Sequence, residues 1–207
     1  MTRAPIARPS RRIVDRLTGR QVFAILQAAV LICGTMFFLQ IRQFETFGVF
    51  EALVAGTAVA VLVALYFGWM LAVAITMNSL LPRGRQRRQM PAVVGLVFAV
   101  VYAPVFFQAM LVEPMPVALA TALWVAHVGA LLANLHILGL CSATLVAAER
   151  GAGSHHLRTA AVFLLLWLTA LVPVGAWWVH DRARRLLGAA EEVGRASCSG
   201  SRSDETA

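Results

Sequence analysis

Pro116–Ala148, PVALATALWVAHVGALLANLHILGLCSATLVAA, is the stretch whose reading decides the fold. Its 33 residues include no Asp, Glu, Lys or Arg. As a helix it would measure about 50 Å at about 1.5 Å per residue, against a hydrocarbon slab of about 30 Å. Such a run predicts a membrane-crossing helix with length to spare at one end. It also holds the densest set of polar side chains in the apolar part of the chain: His127, Asn134, His136, Cys141 and Ser142.

Composition extends that reading to the whole chain. Of 207 residues, 59% are hydrophobic and 14% charged, with a mean hydropathy of +0.74. A soluble domain is nearer about a quarter charged. An all-α integral membrane protein is therefore expected, with no soluble domain large enough to own a core. The 18 basic residues are all arginine and the formal net charge is +8. In a soluble chain that charge would point to nucleic acid. Here the arginines crowd the polar segments beside apolar runs, so membrane lipids are the expected partner and nucleic acid is not. Cys33, Cys141 and Cys198 lie far apart with no CxxC pair, so neither a disulfide framework nor a metal site is expected.

In chain order, residues 1–20 form a basic segment with six arginines. The apolar run that follows continues for about twenty residues without a small-residue cleavage pattern, so it reads as a retained span, not a signal peptide. Residues 21–180 read as a bundle of about five spans, near 21–41, 49–81, 92–112, 116–148 and 159–179. Pro104 falls inside the third and is expected to kink it. Residues 181–207 read as a polar, partly disordered tail whose first half could form a surface helix. Arginine bias places the N-terminus in the cytoplasm of a bacterial-type inner (plasma) membrane, with twelve arginines inside and six outside. Arg182, Arg184 and Arg185 then flank the outer end of the fifth span, against that rule.

Packing signals are strongest in the second span. Ala52, Gly56, Ala60, Ala64, Gly68 and Ala72 recur at every fourth position. Helices in a bilayer associate through close approach of small residues, because lipid tails compete for apolar contact. The fourth span carries a shorter row, Ala118, Ala122, Ala126 and Ala130, running into Asn134. These two helices are expected to touch each other or copies of themselves.

Intramembrane polar groups are the candidates for chemistry, since ionisable residues at bilayer depth are costly. His127, Asn134 and Cys141 are spaced by seven and form one stripe that drifts only about 20° per step. His136 falls on the opposite side of the helix, among Gly129, Ala133 and Gly139. Haem b or quinone could use His127 and His136, but a bis-histidine haem needs ligands from two facing helices. The first three spans contain no histidine. Gln27, Gln108, Asn134, His127 and His136 could line a polar path, though no intramembrane carboxylate accompanies them. Cys141, His136 and Asn134 cannot act as a catalytic set, because Cys141 and His136 diverge by about 140° around the helix. His155 and His156, near Glu149, are two loop ligands and do not make a metal site. Arg83, Arg85, Arg87 and Arg88 form a basic loop at the membrane surface.

The tail segment ASCSGSR, 196–202, resembles over about five residues the Cys-Ser-Gly motif around the nucleophile of exosortase-type membrane transpeptidases. That family also has an arginine and a histidine in later membrane segments, which do not follow here. No catalytic role is carried to Cys198. The expected function is non-catalytic: an integral subunit of a larger transport or electron-transfer complex, packed against other subunits or copies of itself. A haem- or quinone-binding redox subunit is the alternative, and a small oligomeric transporter or channel the second.

Overall fold

The computed structural model describes residues 14–41, 48–111, 114–151, 159–168 and 174–200. Its helices are α1 Gly19–Ile41, α2 Val49–Leu80, α3 Met90–Ala109, α4 Val117–Gly151, α5 Thr159–Leu168 and α6 Val174–Gly200, with a 3₁₀ turn at Arg83–Arg85. Helices α1 to α4 are each long and apolar enough to cross a membrane.

Local chemistry sets the helix starts. Thr18 and Gln21 form a reciprocal capping box: Gln21 N donates to Thr18 Oγ1 at 3.2 Å, and Thr18 N to Gln21 Oε1 at 2.8 Å. Glu51 reaches back to the Gly48 N–H at 3.0 Å, placing a carboxylate at the positive end of α2. Pro91 stands in the first turn of α3, where its missing N–H costs nothing. Further along α3 the helix runs through Pro104.

Helix α2 is central and packs against α1, α3, α4 and α6. At Gly56 and Gly68 its small-residue row faces α3. A Cβ added at Gly56 would come within 2.5 Å of Pro104 Cα, so the two backbones meet there. Ala52 and Ala60 are buried in the same row, whereas Ala64 is exposed. α2 and α4 do touch, but the core they share is built from larger side chains, among them Met70, Val73, Met77, Ile137, Cys141 and Leu145. The α4 row instead runs outward: Ala130 is buried, Ala126 half-buried, and Ala122 and Ala118 exposed.

Burial is uneven along the bundle. Residues 69–78 of α2 and most of 137–149 of α4 are buried. The opposite half presents large apolar side chains outward, including Leu31, Ile32, Phe50, Val101 and Trp124. The packed end is closed by α6, whose Ala176, Val179, His180, Ala183 and Leu187 are all buried at spacings of three and four. That is the stripe of an amphipathic helix docked on a core. The tail expected to be partly disordered is thus helical as far as Gly200.

The contacts of α6 also bear on the stretch expected to form the fifth span. Gly19 N, at the start of α1, donates to Asp181 Oδ1 at 2.9 Å. Arg182 pairs with Glu149, near the end of α4. The end of 159–179 therefore lies at the end of the bundle from which that stretch departs. The basic segment 1–13, the His155-His156 loop and 201–207 lie outside the described residues, as do 169–173 within the expected fifth span.

Candidate functional site

Helix α4 carries the polar stripe, and the structure separates its members by surroundings. His127 is half-buried in the outer half of the bundle. Its ring lies 5.9 Å from Tyr102, 5.7 Å from Phe106 and 6.3 Å from Trp124, centroid to centroid. Tyr102 keeps its hydroxyl satisfied by donating to Leu123 O at 3.1 Å, which also pins α3 to α4. One turn and a half further, Gly95 meets Ala133, with an added Cβ 2.9 Å from the Ala133 Cβ. His127 Nδ1 and Asn134 Oδ1 are buried atoms without a hydrogen-bond partner among the described residues. Such orphaned groups are uncommon and each costs about 1–3 kcal/mol.

Beside this stripe α4 turns a hydrophobic seam outward. Trp124, Val128, Leu131 and Leu135 are 71%, 49%, 52% and 42% exposed. Their 4-3-4 spacing is the a/d pattern of a left-handed helix pair. His127 and Asn134 lie along its edge.

The remaining polar candidates do not converge on His127. His136 is exposed, facing away from the core, and nothing lies within 4 Å of the Cβ position of neighbouring Gly139. Cys141 is fully buried in the packed half. Gln108 Nε2 donates to Val49 O at 3.1 Å, tying the end of α3 to the start of α2. Gln27 is on α1, half-buried. Ser142 and Thr144 return their hydroxyl protons to Leu138 O and Leu140 O of their own helix, at 2.6 and 2.8 Å. His127 and His136 are thus not brought together as a ligand pair within one chain.

The packed end holds a second polar network that sequence reading did not find. His180 is fully buried between α2 and the segment before α1. Trp69 Nε1 lies 3.2 Å from His180 Nδ1, and His180 Nε2 lies 2.8 Å from Leu17 O. Indole N–H can only donate, so Nδ1 accepts and the ring proton sits on Nε2, donating to Leu17. His180 is therefore neutral and held in one tautomer. Burial pushes its pKa below 6.5, helped by Arg184 and opposed by the Leu17 and Val14 carbonyls and by Asp181. Next to it, Asp181 accepts from Trp177 Nε1 at 2.7 Å, while Arg20 stands over the Trp177 ring at 5.5 Å. Arg182 stacks on Trp178 at 4.7 Å and pairs with the buried Glu149. These partners are separated by up to 163 residues in sequence. Only the Trp177-Trp178 pair beside charged residues offered a signal.

Compared with known proteins, the chain matches no family model, no curated protein and no solved structure.

Proposed function

We propose that this chain is a non-catalytic, multi-pass membrane subunit that works by contact, docking a helix of another subunit or of a second copy along α4. The observation that carries the reading is the juxtaposition on one helix of an exposed apolar seam and two unpartnered polar atoms, His127 Nδ1 and Asn134 Oδ1. A neighbouring helix on that seam would cover large apolar side chains. After a side-chain rotation its own polar groups would satisfy the histidine and the asparagine, each such bond adding roughly 0.6–2 kcal/mol in a bilayer.

The topology that goes with it has four spans, α1 to α4, with both chain ends on the cytoplasmic side of a bacterial-type inner membrane. Two-way hydrogen bonding of α6 to the start of α1 and the end of α4 supports that arrangement. It leaves Arg42 alone on the far side, a stronger positive-inside bias than five spans allow.

Mild-detergent extraction followed by mass spectrometry tests the reading. A stoichiometric partner, or a dimer of this chain, is expected, and His127→Ala with Asn134→Ala should weaken it. A monodisperse single-chain particle that those substitutions leave unchanged would refute the proposal. A Soret band in the absorbance of the purified protein would instead support the redox alternative, with the second ligand supplied by another chain.

A further inference from the structure

The short connection between α2 and α3 holds Arg83, Arg85, Arg87 and Arg88, all exposed, and contains no carboxylate. Among the described residues, none of the four forms an ion pair with an acidic side chain. Four like charges in six positions repel one another, and a free backbone would let them spread. This backbone is held. Asn78, itself 4% exposed, clamps Arg87 from both sides: its Nδ2 donates to Arg87 O at 3.0 Å, and its Oδ1 accepts from Arg87 N at 2.8 Å. Gln86 Nε2 donates to Leu81 O at 3.0 Å, and Arg85 N closes the 3₁₀ turn on Pro82 O at 2.8 Å. A buried side chain thus fixes the backbone of the arginine loop at Arg87.

Depth identifies the counter-charge. Helix α3 begins at Met90 and has 20 residues, so it rises about 30 Å, the thickness of the hydrocarbon core. Its outward residues Met90, Val94, Val97, Val101 and Val105 are apolar and more than half exposed. With that face in lipid, Arg87 and Arg88 stand at headgroup level. Arginine's planar fork matches phosphate oxygens in pairs.

We propose that the 82–89 loop is a preorganised receptor for the phosphate of anionic phospholipid headgroups, with Asn78 as the positioning residue that sets the spacing of its arginines. The inference rests on α3 lying in the bilayer and is independent of whether the chain has a protein partner.

The test compares retention of phosphatidylglycerol and phosphatidylcholine on the full-length protein, taken from nanodiscs of mixed composition into native mass spectrometry. Wild type should retain phosphatidylglycerol preferentially. Removing an arginine that contacts the headgroups lowers such binding by about five-fold, so Arg85→Gln with Arg88→Gln should lower the preference more than ten-fold. Arg185→Gln, an exposed arginine on α6, should leave it nearly unchanged. Asn78→Ala keeps every charge; diffuse attraction predicts no effect, whereas a preorganised receptor predicts a loss of at least several-fold. Full preference retained in a folded Asn78→Ala protein would overturn the proposal. So would equal losses from the double variant and Arg185→Gln, which decides the matter if Asn78→Ala does not fold. Displacement of the lipid by millimolar inorganic phosphate would assign the loop to a soluble anion and also overturn it.

Discussion

Replacing Gly56 by alanine is the sharpest test of how α2 meets α3. The new Cβ would stand 2.5 Å from Pro104 Cα, 3.2 Å from Pro104 N and 3.3 Å from Ala103 O. All three are backbone atoms, so no rotamer change relieves the contact. Non-bonded carbons settle at about 3.5–4.0 Å, which requires the helices to part by about 1 Å at the crossing. A gap of that size forfeits about a quarter to a half of the attraction of each facing atom pair. Overpacking of this kind costs about 1–3 kcal/mol. Alanine returns about 1 kcal/mol of helix propensity, but it does so at any helical glycine. The comparison that isolates the contact is therefore with Gly34→Ala, where nothing lies within 4 Å, and Gly68→Ala, where the nearest atom is Leu96 Cδ2 at 3.9 Å. Thermal or denaturant unfolding in detergent micelles should rank Gly56→Ala below both by about 1–3 kcal/mol. If the three variants unfold alike, the backbone contact between α2 and α3 is misread.

Two further predictions concern the packed end. His180 is buried neutral with its pKa below 6.5, so the folded state binds fewer protons than the unfolded one as pH falls. Its contribution is complete above about pH 6.5 and is lost on acidification, by at most about 1.4 kcal/mol per pH unit, until the folded-state pKa is passed. Unfolding midpoints at pH 7.5 and 5.0 should differ more for wild type than for His180→Gln; equal differences would remove the histidine from the account. For the Glu149–Arg182 pair, Arg182→Ala removes a guanidinium from beside a carboxylate that is 1% exposed. A loss of about 3 kcal/mol is expected, and it should be largely recovered in Arg182→Ala with Glu149→Gln, read by the same unfolding assay as a double-mutant cycle.

How much of this was legible beforehand differs by element. The four long apolar helices followed from runs of uncharged residues, and their observed bounds fall within about three residues of the expected ones. Proximity of backbones was also legible at Gly56, because small residues every fourth position signal a close crossing. The partner of that crossing was not, since such a row says how near another helix may come and not which one. His127 and His136 could be separated by counting around a helix. Two of the rings around His127, Tyr102 and Phe106, come from α3, and no period in α4 announces them.

Composition and periodicity by themselves determined that this chain is helical with four helices long and apolar enough to cross a membrane, where those helices lie, and which polar groups share a side of α4. Those properties are local, set by a residue's neighbours within a few turns. Tertiary structure alone decided that α6 folds back so that Asp181 meets Gly19 and His180 joins Trp69 to Leu17. It also decided that Asn78 clamps the arginine loop. Each depends on groups brought together by chain reversal, where one donor, one acceptor and one buried volume have to coincide, and linear spacing carries no record of that coincidence.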